Sequence, residues 1–129
     1  MPRFVVLLLA AIVAAPAHAQ SIDPNLTSVA WRVIEIAGAP AAYAETLQFS
    51  AGKVSAKTAC NSYHASLRQA GAQLEIGKGR LTVMLCEKSK MAAQRRYLEA
   101  IGGVRSYVLA DGTLSLVAAD GRVLVKLTR

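Results

Sequence analysis

The sequence predicts a mainly β domain of the α+β class: a small antiparallel, barrel-like curved sheet with one α-helix, about 87–102, packed against it. Three observations carry this. Short runs alternating apolar and polar residues recur through 29–129. Tight-turn pairs, Ala51-Gly52, Asp111-Gly112 and Asp120-Gly121, punctuate them. Only one segment, 87–103, exchanges the alternation for helical spacing. Many short strands with close turns and a single helix suit a small barrel or strongly curved sheet, with the helix over one opening or face.

Taken in order, "VAWRVIEI" (29–36) places Val29, Trp31 and Val33 on one face and leaves Arg32 and Glu35 to solvent, and Gly38-Ala-Pro40 ends the run. "TLQFS" (46–50) and "KVSAKTA" (53–59) form a hairpin around Ala51-Gly52, with Leu47, Phe49, Val54 and Ala56 inward. Residues 60–68 alternate with period two, so Ser62, His64, Ser66 and Arg68 share one face and Tyr63, Ala65 and Leu67 the other. A second strand is expected over 80–85, and Gly77-Lys-Gly79 reads as a turn between strands. In 87–103, Met91, Leu98 and Ile101 fall near helical spacing with Tyr97 beside them, alanines favour helix, and Gly102-Gly103 is a stop. "SYVLA", "TLSLVA" and "RVLVKLT" make a closing meander. Each Asp-Gly between them suits a type I′ turn, which needs positive φ at both central positions.

Ahead of the domain, Arg3, a 12-residue apolar run from Phe4 to Ala15, and Ala17-His18-Ala19 have the three-part layout of a secretory signal peptide. The run is too short for a transmembrane span, which needs about 20 apolar residues. Cleavage after Ala19 leaves 110 of the 129 residues, beginning at Gln20, with the formal charge lowered from +7 to +6. The expected organisation is a signal peptide at 1–19, a short flexible lead at 20–28 and one domain at 29–129. The residue directly after the cleavage point is Gln20 and not cysteine, so no lipid-anchored N-terminus is available, and the expected location is periplasmic or secreted.

Only two cysteines, Cys60 and Cys86, and one histidine of the exported part, His64, are candidates for chemistry. On a strand, four steps of about 3.3 Å separate Cys60 from His64 by roughly 13 Å, whereas a Cys/His pair needs hydrogen-bond reach. His64 therefore reads as a solvent-side residue. Two cysteines and one histidine fall short of the three or four ligands zinc takes. There is no phosphate-cradling loop, no Gly-x-Ser-x-Gly elbow and no suggestive carboxylate pair, and no base stands near the serines in sequence. No catalytic residue, metal or cofactor is expected, and the chain reads as a non-enzyme. In an oxidising compartment two cysteines usually form one disulfide, so Cys60 bridged to Cys86 is expected. Two separate buried thiols are the alternative, since free cysteine packs well in cores.

Cys60-Asn61-x-Tyr63, Gly71 and Leu74, then Thr82-x-Met84-x-Cys86, resemble the META/HslJ domain family. So do Trp31 with Gly38-x-Pro40, Leu47-x-Phe49 with Gly52 and Val54, the helix residues Tyr97, Leu98 and Ile101, Val104 and Tyr107 after it, and Gly112-x-Leu114-x-Leu116 with Gly121. Ala59 and Ala65 stand where the family commonly has glycine. The resemblance spans roughly 29–127 and implies a small β-barrel-like domain with a helix, found in secreted or envelope proteins associated with heat-shock and envelope stress. One member is linked to tolerance of a hydrophobic antibiotic. It implies no catalytic residues.

Three functions then compete. The first is a non-enzymatic accessory or binding domain of the envelope, its partner an unidentified envelope component. The second is a binder of anionic lipid, lipopolysaccharide or an acidic partner through a basic helix face of Lys88, Lys90, Arg95 and Arg96, set against a merely solvated face. The third is a thiol enzyme using Cys60. Nucleic acid suits the charge but neither the compartment nor the scarcity of aromatics for base stacking.

Overall fold

The structure is a computed structural model and describes residues 10–12 and 22–129. The expected signal peptide and its cleavage point, apart from 10–12, lie outside the described residues.

Nine antiparallel strands follow in chain order: β1 (Trp31–Ile36), β2 (Ala39–Pro40), β3 (Thr46–Ser50), β4 (Lys53–Lys57), β5 (Ser62–Ala70), β6 (Gln73–Leu81), β7 (Val104–Ala110), β8 (Thr113–Ala118) and β9 (Val123–Thr128). Neighbours in sequence pair with one another, β1 pairs past the short β2 with β3, and β9 returns to β1, closing an eight-strand barrel with β2 as an extra strand on β1. Closure removes the exposed sheet edge that an open sheet would present. The alternation seen in sequence becomes the inside of the barrel: Leu47, Phe49, Val54, Ala56, Leu67, Leu114, Leu116, Val125 and Leu127 are buried.

Two helices close the two ends. α2 (Lys88–Gly102) runs from the end of β6 to the start of β7. It therefore spans the rim where β3 and β5 begin and β4 ends, and it buries Ala93, Gln94, Tyr97, Ala100 and Ile101. The Tyr97 hydroxyl donates to Thr46 O at 2.9 Å. α1 (Pro24–Thr27) closes the opposite rim. There Leu26 is fully buried, and Trp31 Nε1 donates to its carbonyl at 3.0 Å. The residues expected as a flexible lead are thus, from Ile22 onward, part of the domain. Asp23 caps α1 by accepting from Asn25 N–H at 2.9 Å. Its own N–H donates to Gln69 Oε1 at 2.8 Å, and it accepts from the Tyr107 hydroxyl at 2.8 Å. The Asn25 backbone N–H, then Tyr107, hold its carboxyl below the ordinary aspartate value. Asp, Pro and one leucine are enough to cap and seal a barrel end when the receiving groups lie on other strands.

The turns divide. Asp111-Gly112 has positive φ at both positions, 53° and 76°, as a type I′ turn requires. At Asp120-Gly121 only Gly121, at 88°, is left-handed. Gly121 N–H donates to Ala118 O, and Ala118 N–H to Arg122 O, so the loop is one residue longer than a two-residue turn. Gly77 and Gly79 form no turn. They lie within β6, beside a register shift against β5. A Cβ on Gly79 would fall inside the Tyr63 ring, and one on Gly77 would meet Ser66 Oγ. Opposite this feature the barrel is loosest: β6 pairs with β7 only at Gln73–Ser106, and a cleft of about 950 Å³ opens along that seam.

Candidate functional site

The residues around the cysteines depart from the strands expected for them. β5 starts at Ser62, not at Cys60, and β6 ends at Leu81, not at 85. Between the strands and α2 lie two irregular segments, 58–61 and 82–87. Cys60 and Cys86 join them, with the sulfurs bonded and the Cα atoms 6.0 Å apart. No thiol remains on either residue.

Asn61 organises the rest. It is buried, and its amide makes four hydrogen bonds to other segments, beside a longer 3.4 Å contact of Nδ2 with the adjacent Cys60 Sγ. Oδ1 accepts from Met84 N–H at 2.7 Å and from the Thr82 hydroxyl at 3.0 Å. Nδ2 donates to Met84 O at 3.3 Å and to Gln94 Oε1 at 3.1 Å. That is the full capacity of an asparagine side chain. It holds both backbone groups of Met84 as a neighbouring strand would. Thr82 in turn accepts from Ser62 N–H at 3.0 Å, and its own N–H reaches Ser62 O at 3.0 Å, extending the ladder one step past β6. Thr58 Oγ1 accepts from the Cys60 and Asn61 N–H groups at 3.1 and 2.8 Å and donates its single proton to Gln94 Oε1 at 2.7 Å. Buried polar groups are tolerated when they are hydrogen-bonded, and these bonds join β5, α2 and both irregular segments.

The consequence lies outside the cluster. With its backbone fixed, the 82–85 segment turns its side chains to water: Val83 and Leu85 are each 92% exposed and Met84 60%. The candidate site is therefore a stapled loop, not a pocket.

Of the sequence candidates, Cys60, Asn61, Thr82, Met84 and Cys86 converge here. Tyr63 lies half-buried on β5 over Gly79, where burial raises its hydroxyl pKa. Lys88, Lys90, Arg95 and Arg96 do not form one face. At about 100° per residue Lys88 and Arg95 share the outward line. Lys90 falls on the line of buried Tyr97 and Ile101 and approaches Glu87 at 3.9 Å, and Arg96 lies on the flank towards Glu45. His64 is exposed, as its alternation implied. A serine does reach it, however: Ser55 Oγ lies 3.1 Å from His64 Nδ1 across the β4–β5 pair. Among the described residues neither bonds to a carboxylate, and no three His, Cys, Asp or Glu side chains gather to hold a metal.

Three residues escaped the sequence reading. Thr58 and Gln94 complete the cluster, and Gln94 was legible as a polar residue within the Met91–Tyr97–Ile101 stripe. Glu45 is the third. It is 1% exposed, its Oε2 has no hydrogen-bond partner, and burial raises its pKa to about 7 against the opposing pull of the Ala59 N–H and Arg96. Its period-two spacing with Leu47 and Phe49 was the signal.

A closed eight-strand antiparallel barrel, plugged by a helix and carrying a disulfide-stapled loop, defines the class of protein. The chain belongs to the META domain family, whose model matches residues 24–129. Among curated proteins none matches it. Among solved structures it is similar to a duf4847 family protein from Bacteroides vulgatus, with a TM-score of 0.63 at 12% identity over 80% of this chain and 93% of that one. It is also similar to a protein from Burkholderia xenovorans solved by NMR, with a TM-score of 0.62 at 20% identity over 89% of this chain and 98% of that one. At such identities these likenesses speak for the fold alone.

Proposed function

We propose that this chain is an exported, non-enzymatic binding domain, periplasmic or secreted, that serves as an accessory component of the envelope and its stress response. The observation that carries the reading is the use made of the family's own motif. Asn61, Thr82 and the two cysteines spend their bonding capacity on presenting a loop, and none is left free as a nucleophile, base or ligand. A motif so used serves recognition through the loop rather than chemistry beneath it. The disulfide supports an oxidising compartment. No helix among the described residues is long and apolar enough to cross a membrane.

The thiol-enzyme reading loses its support, because Cys60 is bonded to Cys86. The anion-binding reading keeps its charge but loses the single helix face assigned to it.

The test has two parts. Protein recovered from the native host's envelope fraction is expected to begin at Gln20, and it is expected to capture a lipid or protein component from envelope extract. Protein retaining residues 1–19 in the cytoplasm, or turnover of a substrate that is lost in Ser55→Ala or Cys60→Ser, would overturn the reading.

A further inference from the structure

Four of the large apolar side chains exposed among the described residues fall within five positions: Leu81 (37%), Val83, Met84 and Leu85. An unrestrained loop would turn such side chains towards the barrel, since water-exposed apolar surface is unfavourable. Here it cannot. Asn61 grips Met84 N–H and C=O, Thr82 is tied to Ser62, and Cys86 is bonded to Cys60. The projection is built into the fold, and exposed apolar surface of this kind marks an interaction site.

The charges around the tip identify its partner. Arg80 precedes it and Lys88 and Lys90 follow it. Lys57 is exposed opposite Ser62, the residue to which Thr82 is tied. Glu87 is the acid in this stretch, and it faces Lys90 at 3.9 Å. An apolar tip with a cationic collar combines the two terms that hold a peripheral protein on an anionic membrane. Apolar side chains enter the boundary between headgroups and acyl chains, and cations meet lipid phosphates. A second copy of the chain is disfavoured on this surface, because the two collars would repel.

The geometry points to the 81–85 tip as a membrane-docking element that inserts into a leaflet containing anionic phospholipid, with Lys57, Arg80 and Lys88 against the headgroups. This rests on the proposed export only in supplying the membrane. It moves the anion contact from the outer face of α2 to the rim beneath the loop.

Vesicle sedimentation of the purified exported protein tests it, with phosphatidylcholine vesicles lacking or containing phosphatidylglycerol. Binding is expected only with phosphatidylglycerol and should weaken as salt rises. V83S/L85S should reduce partitioning by about tenfold or more, since each side chain forfeits roughly a buried apolar group. R80E/K88E should remove the preference for the anionic lipid. All four side chains are exposed, so an unchanged thermal midpoint verifies the fold. In V83W the added indole should shift its emission to the blue with anionic vesicles, against a buried Trp31 that does not respond. No sedimentation at low salt, V83S/L85S binding as tightly as the parent, or V83W emission unmoved by vesicles would each overturn the proposal. Capture of an acidic protein through the same cations, with no vesicle binding, would overturn docking on lipid while leaving the binding-domain reading intact.

Discussion

Asn61 and Glu45 show how one side chain can set the behaviour of a barrel end. Asn61 is satisfied at all four of its positions, so the loop above it is fixed. Glu45 lies near the same rim, under α2, with one oxygen unpartnered. Burial raises its pKa from the ordinary 4.5 to about 7. Between these values the folded protein holds a proton that the unfolded chain has released. The contribution is therefore fully present below pH 4.5 and is lost as pH rises through about 7. Glu45→Gln keeps the neutral form at every pH. It should abolish the fall in stability between about pH 4.5 and 7 and stabilise the protein at pH 8, by on the order of 2–3 kcal/mol. Urea midpoints measured across that range provide the check. A parent profile already flat there would remove the buried acid from the account.

At the scale of elements, β6 and the segment after it do most to shape the site. A strand with glycine at 77 and 79 lacks side-chain packing of its own, and the neighbouring β5 supplies it. Tyr63 lies over Gly79 and Ser66 over Gly77. This accounts for Tyr63 beside Cys60-Asn61 in the motif: it covers the glycine that lets β6 bend towards the loop. Gly79→Ala should cost about 1–3 kcal/mol, the usual cost of overpacking. Gly77→Ala should cost less, because only a serine hydroxyl must rotate away. In a Tyr63→Ala background the Gly79→Ala penalty should largely disappear, a coupling that a double-mutant cycle measures directly. Equal penalties in both backgrounds would show that the ring is not what the new methyl meets.

For the whole molecule, the plugs matter as much as the strands. The barrel wall is closed, yet its ends would admit water without α1 and α2. α1 is four residues long, too short to be stable alone, and it persists because Leu26, Asp23 and Ile22 dock onto β1, β5 and β7. Leu26→Ala is expected to cost about 2–5 kcal/mol as a buried truncation, out of the roughly 5–15 kcal/mol typical of a domain. It should also shift the emission of Trp31, the single tryptophan, to the red as its indole loses cover. An unchanged midpoint and spectrum would mean that the opening is sealed by something other than α1.

Strand alternation, the Ala51-Gly52 and Asp111-Gly112 turns, and the helix over 87–102 were legible because each depends on neighbours within a few residues. Period two, period 3.6 and the permissiveness of glycine are local properties. The same locality exposed His64 and aligned the motif residues with the META family. What the chain could not declare was where a segment goes when its partner is distant. The lead at 22–28 reads as polar and short, and only Gln69, Tyr107 and Trp31 make it a plug. Gly77-Lys-Gly79 has the composition of a turn, and only Tyr63 and Ser66 make it a strand. Leu81–Leu85 has the apolar content of a strand, and only Asn61, itself held by Thr58 and Gln94, turns it outward as a loop. Hydrogen bonds and packing between residues mostly well outside a local window, from 11 positions apart (Ser66 and Gly77) to 84 (Asp23 and Tyr107), decide those outcomes.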